Sequence, residues 1–334
     1  MRVAGSAIRK RINGTLASMN SFGFEFQAMS STCEIRLDCA AGDDEPALAA
    51  AARQAIDEVQ RIEHKYSRYR ADSIVSRINA AAGGDVAVPV DAETAALLDF
   101  AGQLHALSDG LFDITSGVLR RAWDFRAATL PDPAALQALL PLIGWSQVAW
   151  QDQHIRLPQA GMELDFGGFG KEYAADRAMA VLATAGQRHG FVNLGGDIRV
   201  LGPRTNGSAW RFGIQHPRML GGNGQNTIAS VEMLEGALAS SGDYERFFEL
   251  DGRRFYHILD PHTGWPVSSW ASVSVTAPAC VAAGALSTIA MLKGEQALDF
   301  LTTQNATYLA VDTSMRTFQP GATDGRRFVC GESE

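Results

Sequence analysis

The order in which helix-like and strand-like segments follow one another is the feature that most restricts the fold of this chain. Apolar residues at three- and four-residue spacing predict an amphipathic helix over residues 46–69, and a second helix is predicted from Asp91 to Gly110. Short strand-like runs occupy residues 31–39, 147–150, 155–157, 191–194, 210–215, 227–234 and 273–277, with a hairpin signal at Asp251-Gly252. Because strands and helices do not alternate regularly, the sequence predicts an α+β fold with mixed or antiparallel sheets and packed helices, in a single compact body of one or two lobes.

Charge and the lengths of the apolar runs argue against a nucleic-acid partner and against a membrane-spanning segment. The 334 residues are 46% hydrophobic and carry a formal net charge of −8, so a basic surface for nucleic acid is not expected. The sequence has no apolar run long enough to span a bilayer or to act as a signal peptide, and we therefore expect a cytoplasmic protein. The four cysteines are too scattered to indicate a zinc site or a disulfide framework.

The segment LDFGGFGKEYAAD, residues 164–176, is rich in glycine but fits neither common nucleotide-binding formula. A Walker loop requires a glycine before and a hydroxyl residue after its Gly-Lys pair, and this chain has an acidic residue at both positions. A Rossmann fingerprint that begins at Gly168 would have Tyr173 in place of its third glycine. A strand, a short loop and a helix whose first turn carries Lys171 would still present amides and a positive charge to an anion. Taken alone, the segment is equally consistent with an ordinary turn beside an exposed lysine.

Three later segments place further polar groups at or near strand ends. FVNLGGDIRVLG, residues 191–202, has a second glycine pair followed by an acid, where the backbone can approach a ligand closely. SSGDYERFF, residues 240–248, and FYHILDPHTGWP, residues 255–266, add hydroxyl, carboxylate and imidazole groups. Without further context, His257 is more typical of a packed or surface histidine than of a catalytic one.

Taken in order, these segments resemble the ApbE-type family of FAD:protein FMN transferases. The resemblance includes a methionine ahead of the first strand, a tyrosine in a YR-x-x-S segment, and a G-x-F-D-x-T turn. It continues through the D-x-G-G-x-x-K loop, NLGGD, SGDYER and HILDPxTG. Each motif is weak alone, whereas seven in sequence are highly specific. The resemblance implies a T-fold-related domain over residues 29–330, preceded by an N-terminal extension over residues 1–28.

The resemblance implies that the chain binds FAD, transfers FMN to a threonine in the flavinylation motif of an acceptor flavoprotein, and releases AMP with the help of Mg²⁺. It assigns Lys171 to the pyrophosphate, and His257 or Asp243 to the acceptance of a proton. The carbonyl of Gly168 and the hydroxyl of Thr288 are the implied ligands of Mg²⁺. The residues implied to bind FAD are Met29, Tyr69, Ser73, Leu111, Phe112, Asp113, Asp165, Lys171, Gly195, Gly196, Asp197, Ser241, His257 and Ile258.

The chain departs from the resemblance at two positions. Gly284 occupies the place of an aspartate that the family has four residues before the threonine, and Glu172 follows the lysine where glycine is common. We therefore expect a weakened or absent Mg²⁺ site, and a negative charge at Glu172 that does not help phosphate binding. Gly284→Asp is expected to restore a ligand at little cost in stability, provided that the site has room for a carboxylate. Two other functions stay open: an FAD-binding protein with lost or reduced catalysis, and an FAD pyrophosphatase.

Overall fold

The computed structural model describes residues 9–12, 20–39, 44–219, 226–320 and 328–330. The strands in these residues are β1 (Arg9–Ile12), β2 (Asn20–Ala28), β3 (Ser31–Cys39), β4 (Val88–Pro89), β5 (Ala149–Gln151), β6 (His154–Arg156), β7 (Gly190–Leu194), β8 (Asp197–Gly202), β9 (Trp210–Gln215), β10 (Thr227–Met233), β11 (Gly236–Gly242), β12 (Phe247–Leu250), β13 (Arg253–Tyr256), β14 (Trp270–Ala277), β15 (Thr307–Asp312), β16 (Thr317–Phe318) and β17 (Phe328–Cys330). The α-helices are α1 (Glu45–Tyr66), α2 (Ile74–Ala80), α3 (Ala92–Leu107), α4 (Pro133–Leu139), α5 (Gly170–Thr184), α6 (Cys280–Lys293) and α7 (Ala297–Thr303).

Nine strands form the central sheet, in the order β1-β2-β3-β7-β8-β11-β14-β15-β16. Every neighbouring pair in it is antiparallel. Residues 29–30 and 195–196 form two-residue turns, and all four have the positive φ angles that a tight hairpin turn favours. Because the start of β3 pairs with the end of β7, these two turns lie side by side at one end of the sheet.

The central sheet is covered on both faces. Val273 and Val275 of β14 point into a core shared with helices α1, α5 and α6, whereas Leu309 and Val311 of β15 point into a second core formed with β9 and β10. Every residue of β14 is buried for this reason. The alternation of side chains along each strand therefore divides the apolar residues between the helical layer and the smaller sheet β17-β10-β9.

The predicted α+β fold with antiparallel sheets is confirmed. The helix predicted over residues 46–69 ends three residues early, at Tyr66. The helix predicted from Asp91 begins one residue later because the Asp91 side chain caps it, accepting a hydrogen bond from the Thr94 amide. The hairpin predicted at residues 251–252 joins β12 and β13.

Two of the strands predicted from the sequence differ in the structure. The strand predicted at residues 147–150 is displaced, because residues 145–147 form a turn of 3-10 helix and β5 begins only at Ala149. The strand predicted ahead of the glycine-rich segment is wrong. Its backbone is held instead by the Asn79 side chain, which accepts from the Leu164 amide at 2.7 Å and donates to the Leu164 carbonyl at 3.0 Å.

The residues before position 29 include a strand of the central sheet. β2 pairs with β3 along its whole length, so residues 20–28 are part of the sheet rather than separate from it. The boundary between an extension and a domain at residue 29 stays a prediction. In the described part of the chain, no helix is long and apolar enough to cross a membrane.

Candidate functional site

The glycine-rich segment forms the start of α5. The helix begins at Gly170, whose amide donates a hydrogen bond of 2.7 Å to the Phe166 carbonyl. No side chain caps the helix, so the positive end of its dipole can face an anion. Lys171 lies in the first turn, as predicted. Burial alone would lower the pKa of Lys171, but the neighbouring carboxylates of Asp197 and Glu172 raise it above its usual value. The ammonium group therefore stays charged at neutral pH.

The turn between β7 and β8 lies beside this lysine. The Lys171 ammonium nitrogen is 2.7 Å from Oδ2 of Asp197, the first residue of β8. A Cβ atom on Gly195 would be 4.0 Å from the same nitrogen and 2.7 Å from Cβ of Ser31. Position 195 therefore has no room for a side chain, and the Met29 turn lies against it. The structure brings together the predicted residues Met29, Lys171, Gly195, Gly196 and Asp197.

A second group of predicted residues surrounds the beginning of the glycine-rich segment. Arg68 forms an ion pair with Asp165 and donates a hydrogen bond of 2.8 Å to the hydroxyl of Tyr69, which is 78% exposed. The ring of Phe112 packs on the backbone of Gly168, where a Cβ atom would be 2.8 Å from the ring. Arg68, which belongs to none of the predicted site residues, thus links Tyr69 to Asp165, and the exposed Tyr69 ring is available for stacking.

Two of the predicted FAD-binding side chains hold the local backbone. Ser73 caps α2, because its hydroxyl accepts a hydrogen bond of 2.9 Å from the amide of Ser76. The buried carboxylate of Asp113 accepts hydrogen bonds of 2.7 and 2.8 Å from two backbone amides. These contacts position the segments that carry Tyr69 on one side and Leu111 and Phe112 on the other. Direct contact of Ser73 and Asp113 with FAD stays a prediction.

His257 directly follows β13 and is held in its neutral form. Burial, with a smaller effect from the positive charges of Arg246 and Lys171, lowers the pKa of His257 to about 4. Its Nδ1 is buried and has no hydrogen-bond partner among the described residues. The neighbouring Ile258 is fixed through its carbonyl, which accepts a hydrogen bond of 3.2 Å from the amide of Val267. A neutral imidazole with an unengaged nitrogen can accept a proton.

Asp243, the other predicted proton acceptor, is buried in an ion pair. Its two oxygens lie 2.6 and 2.7 Å from the guanidinium nitrogens of Arg218, and Oδ1 is also 3.4 Å from Arg254. Both oxygens are therefore occupied, which leaves little access for a substrate hydroxyl. Of the two predicted proton acceptors, Asp243 is engaged in ion pairs, whereas His257 has none within the described residues.

Hydroxyl groups connect β11 to α6. The Ser241 hydroxyl oxygen lies 3.0 Å from that of Thr288 and 2.9 Å from that of Ser287. The predicted FAD-binding residue Ser241 and the predicted metal ligand Thr288 are thus in direct contact, although they belong to different elements.

Three carboxylates, Glu172, Asp176 and Asp197, form an acidic cluster between α5, α6 and β8. The Asp176 carboxylate accepts hydrogen bonds of 2.9 Å from each of the first two amides of α6, and lies 3.0 Å from Arg199. No motif in the sequence indicated this role of Asp176. Its position four residues after Glu172, which places both acids on one face of a helix, was the only signal in the sequence for it.

Glu172 is buried against α6. A Cβ atom on Gly284 would be 2.5 Å from both Cγ and Oε1 of Glu172, so this side chain fills the space at position 284. Its Oε2 is buried and has no hydrogen-bond partner within the residues that the structure describes. Burial and repulsion by Asp197 raise the pKa of Glu172. The low cost in stability expected of Gly284→Asp required an uncrowded site, and Glu172 crowds it.

The oxygens around Glu172 fit a small, hard cation. Mg²⁺ takes oxygen ligands, usually one or two carboxylates together with waters and substrate phosphates. The unpartnered Oε2 of Glu172 is such a donor, and the hydroxyl of Thr288 lies one helical turn after the gap at Gly284. Across the described ranges, no group of three or more His, Cys, Asp or Glu side chains could hold a metal. A metal here would need neutral oxygens as well as Glu172.

Two surface cavities are lined by other residues. One, of about 680 Å³, is lined by parts of α1, α2 and α3, and its charged side chains include the ion pair of Lys65 with Asp91 at 2.6 Å. The other, of about 560 Å³, lies beside α3 and β5. Neither is lined by any of the predicted site residues.

Known proteins share both the sequence pattern and the fold. Residues 29–310 match the sequence model of the ApbE family. A FAD:protein FMN transferase of Treponema pallidum is 34% identical over 268 residues, which cover 74% of this chain and 73% of that protein. A FAD:protein FMN transferase of Klebsiella pneumoniae is 33% identical over 224 residues, which cover 66% of this chain and 68% of that protein. The crystal structure of an ApbE protein from Thermotoga maritima superposes with a TM-score of 0.80 at 29% sequence identity. The match covers 90% of this chain and 96% of that chain.

Proposed function

Since the chain belongs to the ApbE family, we propose that it is a FAD:protein FMN transferase that attaches FMN to a threonine of an acceptor flavoprotein and releases AMP. The relatives of Treponema pallidum and Klebsiella pneumoniae are FAD:protein FMN transferases. The observation that supports the proposal most is the position of Lys171. Its charged ammonium lies at the uncapped start of α5, close enough to His257 to influence the pKa of that histidine.

Lys171 and the positive end of the α5 dipole would hold the pyrophosphate of FAD. A partly buried ammonium attracts a phosphate more strongly than an exposed one, because less water lies between the charges. Asp197, 2.7 Å away, keeps the ammonium in one position. Gly196, which has no atom within 4 Å of the place of a Cβ, leaves its backbone open to a ligand.

The transfer itself requires one bond to form and one to break. The threonine oxygen of the acceptor attacks the phosphorus on the FMN side of the pyrophosphate, and the bond from this phosphorus to the bridging oxygen breaks, so that AMP leaves. The hydroxyl proton passes to the imidazole of His257, which is neutral at pH 7 and can accept it. Lys171 stabilises the charge that develops on the leaving phosphate.

Mg²⁺, when bound, would supply further positive charge to the phosphate oxygens. The carbonyl of Gly168 and the hydroxyl of Thr288 are the ligands that the family resemblance implies. Both are neutral, so this pair alone is a weak site for a hard divalent cation.

Covalent labelling of an acceptor tests the proposal directly. The purified chain is incubated with FAD, Mg²⁺ and an acceptor domain that carries an Asp-Gly-x-(Ser/Thr)-(Gly/Ala/Ser)-Thr segment. We expect the acceptor to gain the mass of one FMN while an equal amount of AMP is released. His257→Ala should abolish most of this transfer, whereas His154→Ala, which changes an exposed histidine on β6, should not.

The same assay distinguishes the alternatives. Release of FMN and AMP without labelling of the acceptor would identify an FAD pyrophosphatase. Saturable FAD binding without either product would identify a binding protein with lost catalysis. No saturable binding of FAD at high micromolar concentration would contradict all three functions.

A further inference from the structure

The side chain of Glu172 and the missing side chain of Gly284 occupy the same space. Glu172 lies in the first turn of α5, and its carboxylate reaches the face of α6 that carries Gly284. Any Cβ atom at position 284 would overlap the Glu172 side chain, with separations of 2.5 Å from Cγ and 2.8 Å from Cδ. The glycine on α6 is therefore what allows a carboxylate from α5 to lie between the two helices.

Glu172 is the member of the acidic cluster that forms no ion pair within the described residues. Asp197 pairs with Lys171 at 2.7 Å, and Asp176 pairs with Arg199 at 3.0 Å and with two amides of α6. No ion pair or hydrogen bond to Oε2 of Glu172 is found in the part of the chain that the structure describes. An ionised carboxylate buried without a partner is strongly unfavourable, so this oxygen needs either a proton or a cation.

A cation at this oxygen would lie close to the proposed phosphate site. Asp197 pairs at 2.7 Å with Lys171, the residue that would hold the pyrophosphate, and lies near enough to Glu172 for the two carboxylates to repel each other. Thr288 follows Gly284 by one helical turn, and its hydroxyl is held by Ser241 at 3.0 Å. One carboxylate, a hydroxyl and substrate phosphates form the kind of oxygen set that Mg²⁺ prefers.

We propose that Glu172 is the carboxylate ligand of a divalent cation, Mg²⁺ in the FAD complex, and that Gly284 provides the space for it. The inference rests on the proposed function, since FAD supplies the phosphate oxygens of the same site. The two departures from the family pattern, at positions 172 and 284, are then a single change that moves the acid from α6 to α5.

Metal titration tests this assignment without measuring activity. Mg²⁺ is titrated by calorimetry into the FAD complex of the full chain, and Mn²⁺ binding to the same complex is followed by its electron paramagnetic resonance signal. We expect Glu172→Gln to weaken binding of both metals on the order of a hundredfold, because a charged ligand is lost from a buried site. FAD affinity measured in EDTA should change less than about threefold. Glu235→Gln, which removes the same charge from an exposed turn, should leave metal affinity unchanged.

A double variant that moves the carboxylate from α5 to α6 provides a second test of the assignment. Glu172→Gly should lose metal binding, and Glu172→Gly combined with Gly284→Asp should recover most of it, because the acid then extends into the same space from α6. Unchanged metal affinity in Glu172→Gln would overturn the assignment and would show that Glu172 is a protonated core residue. Loss of metal binding without recovery in the folded double variant would also count against it.

Failure of the Glu172 assignment can be distinguished from failure of the proposed function. If FAD does not bind, the proposed function fails, and Mn²⁺ titration of the FAD-free chain still reports on Glu172. If FAD binds and the unmodified chain shows no saturable binding of either metal, the Glu172 assignment fails while flavin transfer can still be measured.

Discussion

At the scale of single residues, burial has different consequences for Lys171 and His257. It would lower the pKa of Lys171, but the carboxylates of Asp197 and Glu172 outweigh it and keep the ammonium charged. For His257, burial and the neighbouring positive charges act together, and the imidazole stays neutral. One side chain is therefore suited to binding phosphate and the other to accepting a proton.

Lys171→Ala should weaken FAD binding. A hydrogen bond or contact to a charged group contributes roughly 1.5–3 kcal/mol, so the dissociation constant should increase by about tenfold to a hundredfold. The measurement is a flavin fluorescence titration in EDTA, which removes any contribution from metal. Lys65→Ala, which removes a lysine from the ion pairs on α1, is the control. Equal affinity in Lys171→Ala and the unmodified chain would show that the start of α5 does not hold the pyrophosphate.

The neutral state of His257 should make the folded chain sensitive to acid. The pKa is about 4 in the folded chain and near 6.5 when the residue is unfolded, so the unfolded chain takes up the proton first as the pH falls. The part of the free energy of unfolding that depends on a neutral His257 is fully present above about pH 6.5. About 3 kcal/mol of it is lost as the pH falls from about 6.5 to 4. Urea unfolding of the FAD-free chain across this range should show the loss, and His257→Gln should reduce it. Parallel curves for both proteins would mean that the imidazole is not held neutral.

At the scale of elements, α5 and α6 are joined by acids from one face of α5. Asp176 satisfies the first two amides of α6, which have no partner within their own helix, and Glu172 fills the gap one turn further along. The start of α6 therefore depends on α5 for its capping. Any change at position 284 is also a change in the packing of α5 against α6.

Gly284→Asp should destabilise the chain when introduced alone. An added side chain meets Glu172 at 2.5 Å, and overpacking of this kind costs about 1–3 kcal/mol, to which like-charge repulsion adds. Gly284→Ala is the matched neutral variant, and it should also destabilise, although replacing glycine by alanine within a helix normally stabilises by roughly 0.5–1 kcal/mol. Urea unfolding at pH 7 gives the values. Addition of Glu172→Gly should recover most of the loss, and full stability of Gly284→Asp alone would show that the gap is not closed by Glu172.

At the scale of the whole molecule, the candidate site is built from segments that are far apart in the sequence. The central sheet places the turns at residues 29–30 and 195–196 side by side, α5 brings Lys171 to them, and the segment after β13 supplies His257. Because these segments converge only in the folded chain, a ligand that contacts them binds the folded state alone.

FAD should therefore stabilise the entire chain against unfolding. At a free FAD concentration of a hundred times the dissociation constant, the free energy of unfolding should increase by about 2.7 kcal/mol. Urea unfolding in EDTA with increasing FAD measures this increase, and Lys171→Ala should require proportionally more FAD for the same effect. If saturating FAD left the unfolding midpoint unchanged, the proposed binding to these converging segments would be contradicted.

The sequence by itself determined the features that depend on neighbouring residues. Apolar spacing predicted the helix that spans Glu45–Tyr66, the capping aspartate predicted the start of α3, and the turn residues predicted the hairpin at residues 251–252. The ordered motifs also indicated the family. Local periodicity and turn chemistry determine these features, because the relevant side chains lie within a few residues of one another.

Only the tertiary structure decided how the charges and spaces of the site are matched. The contact of Glu172 with Gly284 joins two helices, the ion pair of Asp243 with Arg218 joins two loop regions, and the neutral state of His257 follows from its burial. In the sequence, Glu172 was expected to be an unfavourable charge and Gly284 a missing ligand, as two separate defects. They prove to be one arrangement, because burial and packing depend on which distant residues the fold brings together.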